Sequence, residues 1–169
     1  MPRQERERRY IAEYMMETYP QGNYQLNVPL GPVPEELVSR YGYAKAAAMF
    51  QPTRLRVDAV HWSPERYLLI ESKLRSIKDG IGDLLIYQRI APRTPDLPNY
   101  EGQPVKLALV VPYMVEWIRD ITAATNVEYI VYVKEWIEEY ARERLNYHTA
   151  EYRQKRRELM ELRQVLGVD

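Results

Sequence analysis

Cysteine is missing from all 169 residues, histidine occurs only twice and phenylalanine once. Without thiols there is no disulfide framework, no thiolate nucleophile, no iron–sulfur cluster and no zinc ribbon. His61 and His148 are out of phase with the acidic residues singled out below, so histidine-based metal hydrolysis and Ser-His-Asp chemistry lack their parts. No P-loop, GxGxxG or EF-hand spacing occurs. An excess of either charge is also missing, with 24 Lys+Arg against 24 Asp+Glu. Nucleic-acid binders usually carry a basic surplus, so this balance at first argues against one. No window reaches the ~18 apolar residues of a membrane span. The opening MPRQERERRY alternates charge where a signal peptide needs an apolar stretch, which predicts a cytoplasmic protein with no membrane partner.

What is present fits one domain, long enough to bury roughly two-thirds of its unfolded surface. Residues 5–19 contain no breaker and predict a helix with Ile11 and Met15 on its apolar stripe, closed by Pro20-Gln21-Gly22. Residues 23–30 alternate weakly as a short strand. Pro34, Glu35 and Glu36 suit the start of a second helix running to about Met49. Arg54–Trp62 and Tyr67–Arg75 predict two strands joined by Ser63-Pro64-Glu65-Arg66, a turn whose Pro favours type I geometry. A helix over 76–91 follows, then a loop with four prolines over 91–104 that could close over a substrate. The apolar run Lys106–Val111 predicts a strand covered on both faces. A helix over 114–125, a strand over 127–133 and one or two helices from Lys134 complete the order. Strands alternating with helices imply an α/β fold, a mixed sheet with helices on both faces, and a helical extension over 134–169.

The chemistry concentrates in residues 54–75, RLRVDAVHWSPERYLLIESKLR. If Trp62 pairs with Tyr67, Asp58 lies opposite Glu71. Facing Cβ atoms in an antiparallel pair are roughly 4.5–5.5 Å apart, and like charges there are destabilising. A divalent cation between the two carboxylates removes the difficulty, because oxygen-rich sites suit Mg²⁺ or its substitute Mn²⁺. Lys73, on the same face, puts an ammonium beside that cation, and the Ser72 carbonyl is a further candidate ligand.

Val57-Asp58, followed after twelve residues by Glu71-Ser72-Lys73 at the end of an apolar strand, resembles the PD-(D/E)xK nuclease superfamily, although Val57 stands where its proline would be. The resemblance implies a restriction-endonuclease-like mixed central sheet over residues 1–133. It also implies Mg²⁺-dependent hydrolysis of DNA phosphodiesters, with Asp58 and Glu71 as metal ligands and Lys73 as the catalytic lysine. Many members carry a pattern like GQLLxY on the next helix. Here Gly82-Asp83-Leu84-Leu85-Ile86-Tyr87 is similar, with Asp83 in the Gln position, Tyr87 retained and Gln88 beside it. Asp83 then suits an outer-shell acceptor, or else a solvated helix residue or a partner for Arg89. Members that resolve Holliday junctions begin with a helix bearing a Glu, and Glu7 looks similar. Its helical angle puts it on the side of Ile11 and Met15, so it is either a further metal ligand or an acid paired with the helix dipole.

Arg54, Arg56, Arg75 and Lys78, with Tyr87, Gln88 and Arg89, are the expected contacts to DNA. A second reading keeps the fold without catalysis, as a DNA-binding or assembly module. Leu145, His148, Tyr152, Lys155, Leu159, Leu162 and Leu166 recur at heptad spacing, which suits either a homodimer arm or a helix lying on its own domain. His61, on the strand face opposite Asp58, is expected to be a core or interface histidine. The charge balance itself is uneven along the chain. Residues 54–106 hold nine basic against seven acidic residues, and three of those acids belong to the candidate site. Overall neutrality therefore does not exclude a phosphate-bearing substrate, which senses only charges within about a Debye length, ~8–10 Å.

Overall fold

In the computed structural model of the protein, three antiparallel strands continue into two parallel ones, forming a single mixed sheet. Residues 3–146, with 154, 157 and 158, are described. The elements are α1 (Arg3–Thr18), β1 (Tyr24–Leu30), α2 (Glu35–Tyr41), α3 (Tyr43–Phe50), β2 (Leu55–Trp62), β3 (Tyr67–Ser72), α4 (Ile77–Ile90), β4 (Val105–Val111), α5 (Glu116–Ala124), β5 (Val127–Val131) and α6 (Glu135–Asn146). Strand order follows chain order from β1 to β5, antiparallel up to β3 and parallel from β3 to β5. The chain divides into two compact units, residues 1–132 and 133–169. Of the heptad positions expected to form a dimer arm or a packed helix, those from His148 onward lie outside the described residues.

Tyr67, Leu69 and Glu71 alternate with Leu68, Ile70 and Ser72 along β3 and so point to opposite faces. On the first face Leu69 and Tyr67 join Leu107, Leu109 and the α4 residues Ile81, Leu84 and Tyr87 in one apolar core. On the second, α1 lies across β2 and β3 and buries Tyr10, Ile11, Tyr14 and Met15. There the His61 ring stacks on Tyr19, with centroids 3.9 Å apart. All six β3 residues are buried, as a strand covered on both faces requires; each large apolar side chain so buried contributes about 1.5–3 kcal/mol.

The helix expected from Pro34 to about Met49 is divided. Gly42 adopts φ +75°, a conformation that L-residues avoid and helices cannot contain, so α2 and α3 are separate. The strand expected to reach Arg75 ends at Ser72 instead. The proline-rich loop is not a free lid. Arg54 holds Asp96, Tyr67 donates its hydroxyl to the Pro98 carbonyl at 3.0 Å, and Leu97 sits in the core.

The abundance of tyrosine has a structural basis in these contacts. Tyr10 donates to the Tyr132 carbonyl at 2.7 Å, Tyr87 to that of Arg56 at 3.0 Å and Tyr129 to that of Tyr113 at 3.1 Å. Each ring fills apolar space while its hydroxyl satisfies a main-chain oxygen, which phenylalanine cannot do.

Candidate active site

The β2–β3 register follows the expected pairing through Trp62↔Tyr67, His61↔Leu68, Val60↔Leu69 and Ala59↔Ile70, and stops there. On the other side of β2, pairing with β1 is interrupted opposite Asp58, at Asn27, whose φ of +55° is left-handed. Asp58 therefore stands where β2 loses its regular neighbours on both sides. Its carboxylate fills the gap toward β3. Oδ2 accepts the Ser72 main-chain N–H at 2.8 Å and the Ser72 hydroxyl at 2.7 Å.

The backbone orientation follows from β4. The Lys73 N–H is donated to Val110 at 3.0 Å, so by strand alternation the N–H and carbonyl of Ser72 face β2. The Ser72 carbonyl thus points to the side where the β2 ladder has ended and Asp58 stands.

Lys73 lies just beyond β3. Its ammonium donates to Glu71 Oε1 at 2.8 Å and to Asp83 Oδ2 on α4 at 2.9 Å. Asp83 is thus a partner of Lys73 in the place where Arg89 was the alternative. Glu71 is 4% exposed, and its second oxygen, Oε2, is buried without a hydrogen-bond partner. A buried carboxylate oxygen left unpaired costs roughly 1–3 kcal/mol or more, so such an atom calls for an explanation.

Electrostatics agree with the geometry. Burial, reinforced by the nearby Asp58 charge, pushes the Glu71 carboxyl up to about 8, against a partial offset from Lys73. Asp58 is raised by burial and by Glu7, and lowered by its bonds from Ser72 and by Lys73. Burial works against the Lys73 ammonium, yet Glu71 and Asp83 outweigh it and hold it protonated above its ordinary value. Three acidic groups thus crowd one ammonium, and Glu71 keeps its proton to about pH 8 unless a second cation takes that proton's place.

The expected site residues are partly brought together. Asp58, Glu71, Ser72, Lys73 and Asp83 form one cluster. Glu7, half-buried on α1, stands within electrostatic reach of Asp58. Arg54 does not line an approach. Its side chain is 2% exposed and grips Asp96 with two bonds at 2.7 and 2.6 Å, because β2 begins under the 91–104 loop. Tyr87 is buried with its hydroxyl committed to Arg56, so it supports the site from below and offers nothing to a ligand. Arg56 bonds the Asn27 carbonyl at 2.9 Å; Lys78 and Arg89 are exposed, while Arg75 and Gln88 are half-buried.

Sequence reasoning missed two features. The Ser72 hydroxyl orients Asp58, where only the Ser72 carbonyl drew notice. Gly80 permits a close approach of α4 to Lys73, and its signal was a glycine in the first turn of a helix. Among the described residues no group of three or more His, Cys, Asp or Glu is arranged to hold a metal ion. The donor set offered is two carboxylates and one carbonyl, the kind that suits Mg²⁺, which commonly uses one or two carboxylates and keeps several waters. Among the described residues, no helix is long and apolar enough to cross a membrane. Comparison of the chain with protein-family models, with curated proteins and with solved structures returns no match.

Proposed function

We propose that the chain is a divalent-metal-dependent nuclease of the PD-(D/E)xK type, on a restriction-endonuclease-like sheet, hydrolysing DNA phosphodiesters. The observation that carries this reading is Glu71 Oε2, a buried carboxylate oxygen without a partner, close enough to Asp58 that the Asp58 charge raises the cost of ionising it. Asp58, Glu71 and the Ser72 carbonyl are the groups that would hold Mg²⁺ or Mn²⁺. When bound, such a cation supplies positive charge at the phosphate and acidifies a water.

The protein's own groups do the rest. Ser72 fixes the Asp58 carboxylate by two donors on one oxygen, leaving Oδ1 outside those bonds. Lys73, held between Glu71 and Asp83, presents an ammonium that orients the attacking water and stabilises charge developing on the phosphorus oxygens. Arg56, Arg75, Lys78, Gln88 and Arg89 supply backbone-phosphate contacts, giving salt-sensitive and mainly sequence-independent affinity.

The test uses the full chain with Mg²⁺ or Mn²⁺ on linear, circular, single-stranded and branched DNA, beside Glu71→Gln and Lys73→Met. We expect metal-dependent cutting that falls about 10²–10⁴-fold in each variant. Equal cutting by parent and variants sinks the assignment. Metal binding that requires Asp58 and Glu71, with no cutting of any DNA, leaves the non-catalytic binding module in its place.

A further inference from the structure

We propose that Gly80 is a positioning residue for Lys73, acting through the side chain it lacks. The inference rests on the reading of Lys73 as the working ammonium of the site.

Gly80 lies in the first turn of α4, buried against β3 and β4. A Cβ placed there would come 3.0 Å from Cγ and 3.3 Å from Cε of Lys73, and 2.6 Å from Cδ1 of Leu109. The lysine stem therefore passes directly against the helix backbone. The glycine is not needed for backbone conformation, since unlike Gly22, Gly31, Gly42 and Gly102 it has no positive φ. A glycine in a helix interior costs about 1 kcal/mol relative to alanine, so its presence at a helical position requires another reason. Gly82, in the same helix, gives the contrast, because a Cβ there meets nothing within 4 Å. Open space surrounds one glycine, whereas Leu109 and the lysine stem occupy the space beside the other.

The geometry then continues along the helix. Asp83 is three residues after Gly80 and so lies on the same face, where its Oδ2 receives the ammonium at 2.9 Å. One turn of α4 thus supplies a gap for the stem and a carboxylate for the charge. With stem and head both located, Nζ is aimed at Glu71, although Lys73 itself lies past the end of β3 and is tied to the sheet by its N–H bond to Val110. An alanine at position 80 narrows the channel, and the stem must give by a few tenths of an ångström, displacing the ammonium it carries.

The experiment separates room for Lys73 from room for Leu109. Gly80→Ala is compared with Gly80→Ala/Leu109→Val, which removes the 2.6 Å conflict and leaves those with Lys73, and with Gly82→Ala. Three properties are read on the full chain: the Lys73 ammonium resonance by NMR, assigned by its loss in Lys73→Met; Mn²⁺ affinity by calorimetry; and metal-dependent DNA cutting. We expect the double variant to keep a native amide spectrum and Mn²⁺ affinity within about threefold, to lose or shift the ammonium resonance, and to cut at least about 100-fold more slowly. Gly82→Ala should match the parent in all three. A double variant with parental resonance and parental cutting overturns the proposal, as does recovery of both on adding Leu109→Val to an impaired Gly80→Ala. If the parent cuts no DNA, the nuclease reading fails, and the ammonium resonance still decides whether Gly80 positions the lysine.

Discussion

Ser72 gives both of its donors, the main-chain N–H at 2.8 Å and the hydroxyl at 2.7 Å, to a single oxygen of Asp58. The β2–β3 ladder ends at Ala59↔Ile70, and the Asp58 side chain takes up the donor that the ladder leaves over. Structure and candidate chemistry share one contact here, since the bond that closes the frayed strand end also orients a carboxylate.

Ser72→Ala removes the hydroxyl and keeps the N–H. With one donor lost, Asp58 is held less firmly and its ionised form is less favoured, because the Ser72 bonds act to lower its proton affinity. Mn²⁺ affinity should fall about 10-fold, in the range seen when an outer partner of a metal ligand is removed. Calorimetry measures this; unchanged affinity would place the hydroxyl outside the site's function.

Stability in the absence of metal should carry the signature of Glu71. Folded, this carboxyl keeps its proton to about pH 8, against an ordinary value of 4.5. Between those values the folded chain binds more protons than the unfolded one, so this group makes stability fall as pH rises from about 4.5 to about 8. His61 acts in the opposite sense, since burial lowers its value below 6.5 and unfolding there takes up a proton. Comparison of the parent with Glu71→Gln isolates the carboxyl. In chelator, urea unfolding at pH 5 and pH 8 should differ between them by at least about 1 kcal/mol, the equivalent of one unit of displacement. Mn²⁺ at pH 8 should raise the parent's midpoint, and an identical pH dependence in both proteins contradicts the burial of Glu71.

Arg54 and Asp96 predict a cost to stability without a direct cost to chemistry. The guanidinium is buried and bonded twice by Asp96, so Asp96→Ala strands a charge away from water. The expected loss is about 3 kcal/mol, at the lower end for a broken buried pair because Asp96 itself is a third exposed. Replacing both, as Arg54→Met/Asp96→Leu, should recover most of it. Chemical denaturation reads both numbers, and a DNA affinity that falls in Arg54→Met while the fold is intact would return Arg54 to the substrate approach.

Tyr87→Phe deletes one hydroxyl and leaves the ring in the core. The Arg56 carbonyl then loses its 3.0 Å donor, for an expected cost of about 1 kcal/mol. DNA binding measured at equal folded fraction should be unchanged, since the side chain is buried.

Much of the fold was legible because periodicity and breakers are local. The ESK segment, the Pro64 turn and the alternation of Tyr67 to Ser72 were enough to set the hairpin register at Trp62↔Tyr67. The division at Gly42 was less legible, because Ala44 to Ala48 suits a helix on either side of it and only the φ of the glycine decides. Arg54 was misread for a related reason. It was expected among the contacts to DNA, but its partner Asp96 lies 42 residues away in a loop whose course no local pattern reveals.

The sequence by itself determined the strand order along the chain, the pairing of β2 with β3 and the presence of two acids and a lysine within a short reach. Those properties follow from side-chain period and turn chemistry, which act over a few residues. Only the tertiary structure decided that the ladder stops before Asp58 and Glu71, that Ser72 holds one acid while the other keeps an unpaired oxygen, and that α4 brings Asp83 and the gap at Gly80 to Lys73. These depend on how elements distant in the chain pack against one another, where burial and close approach set both the charge state and the direction of each side chain.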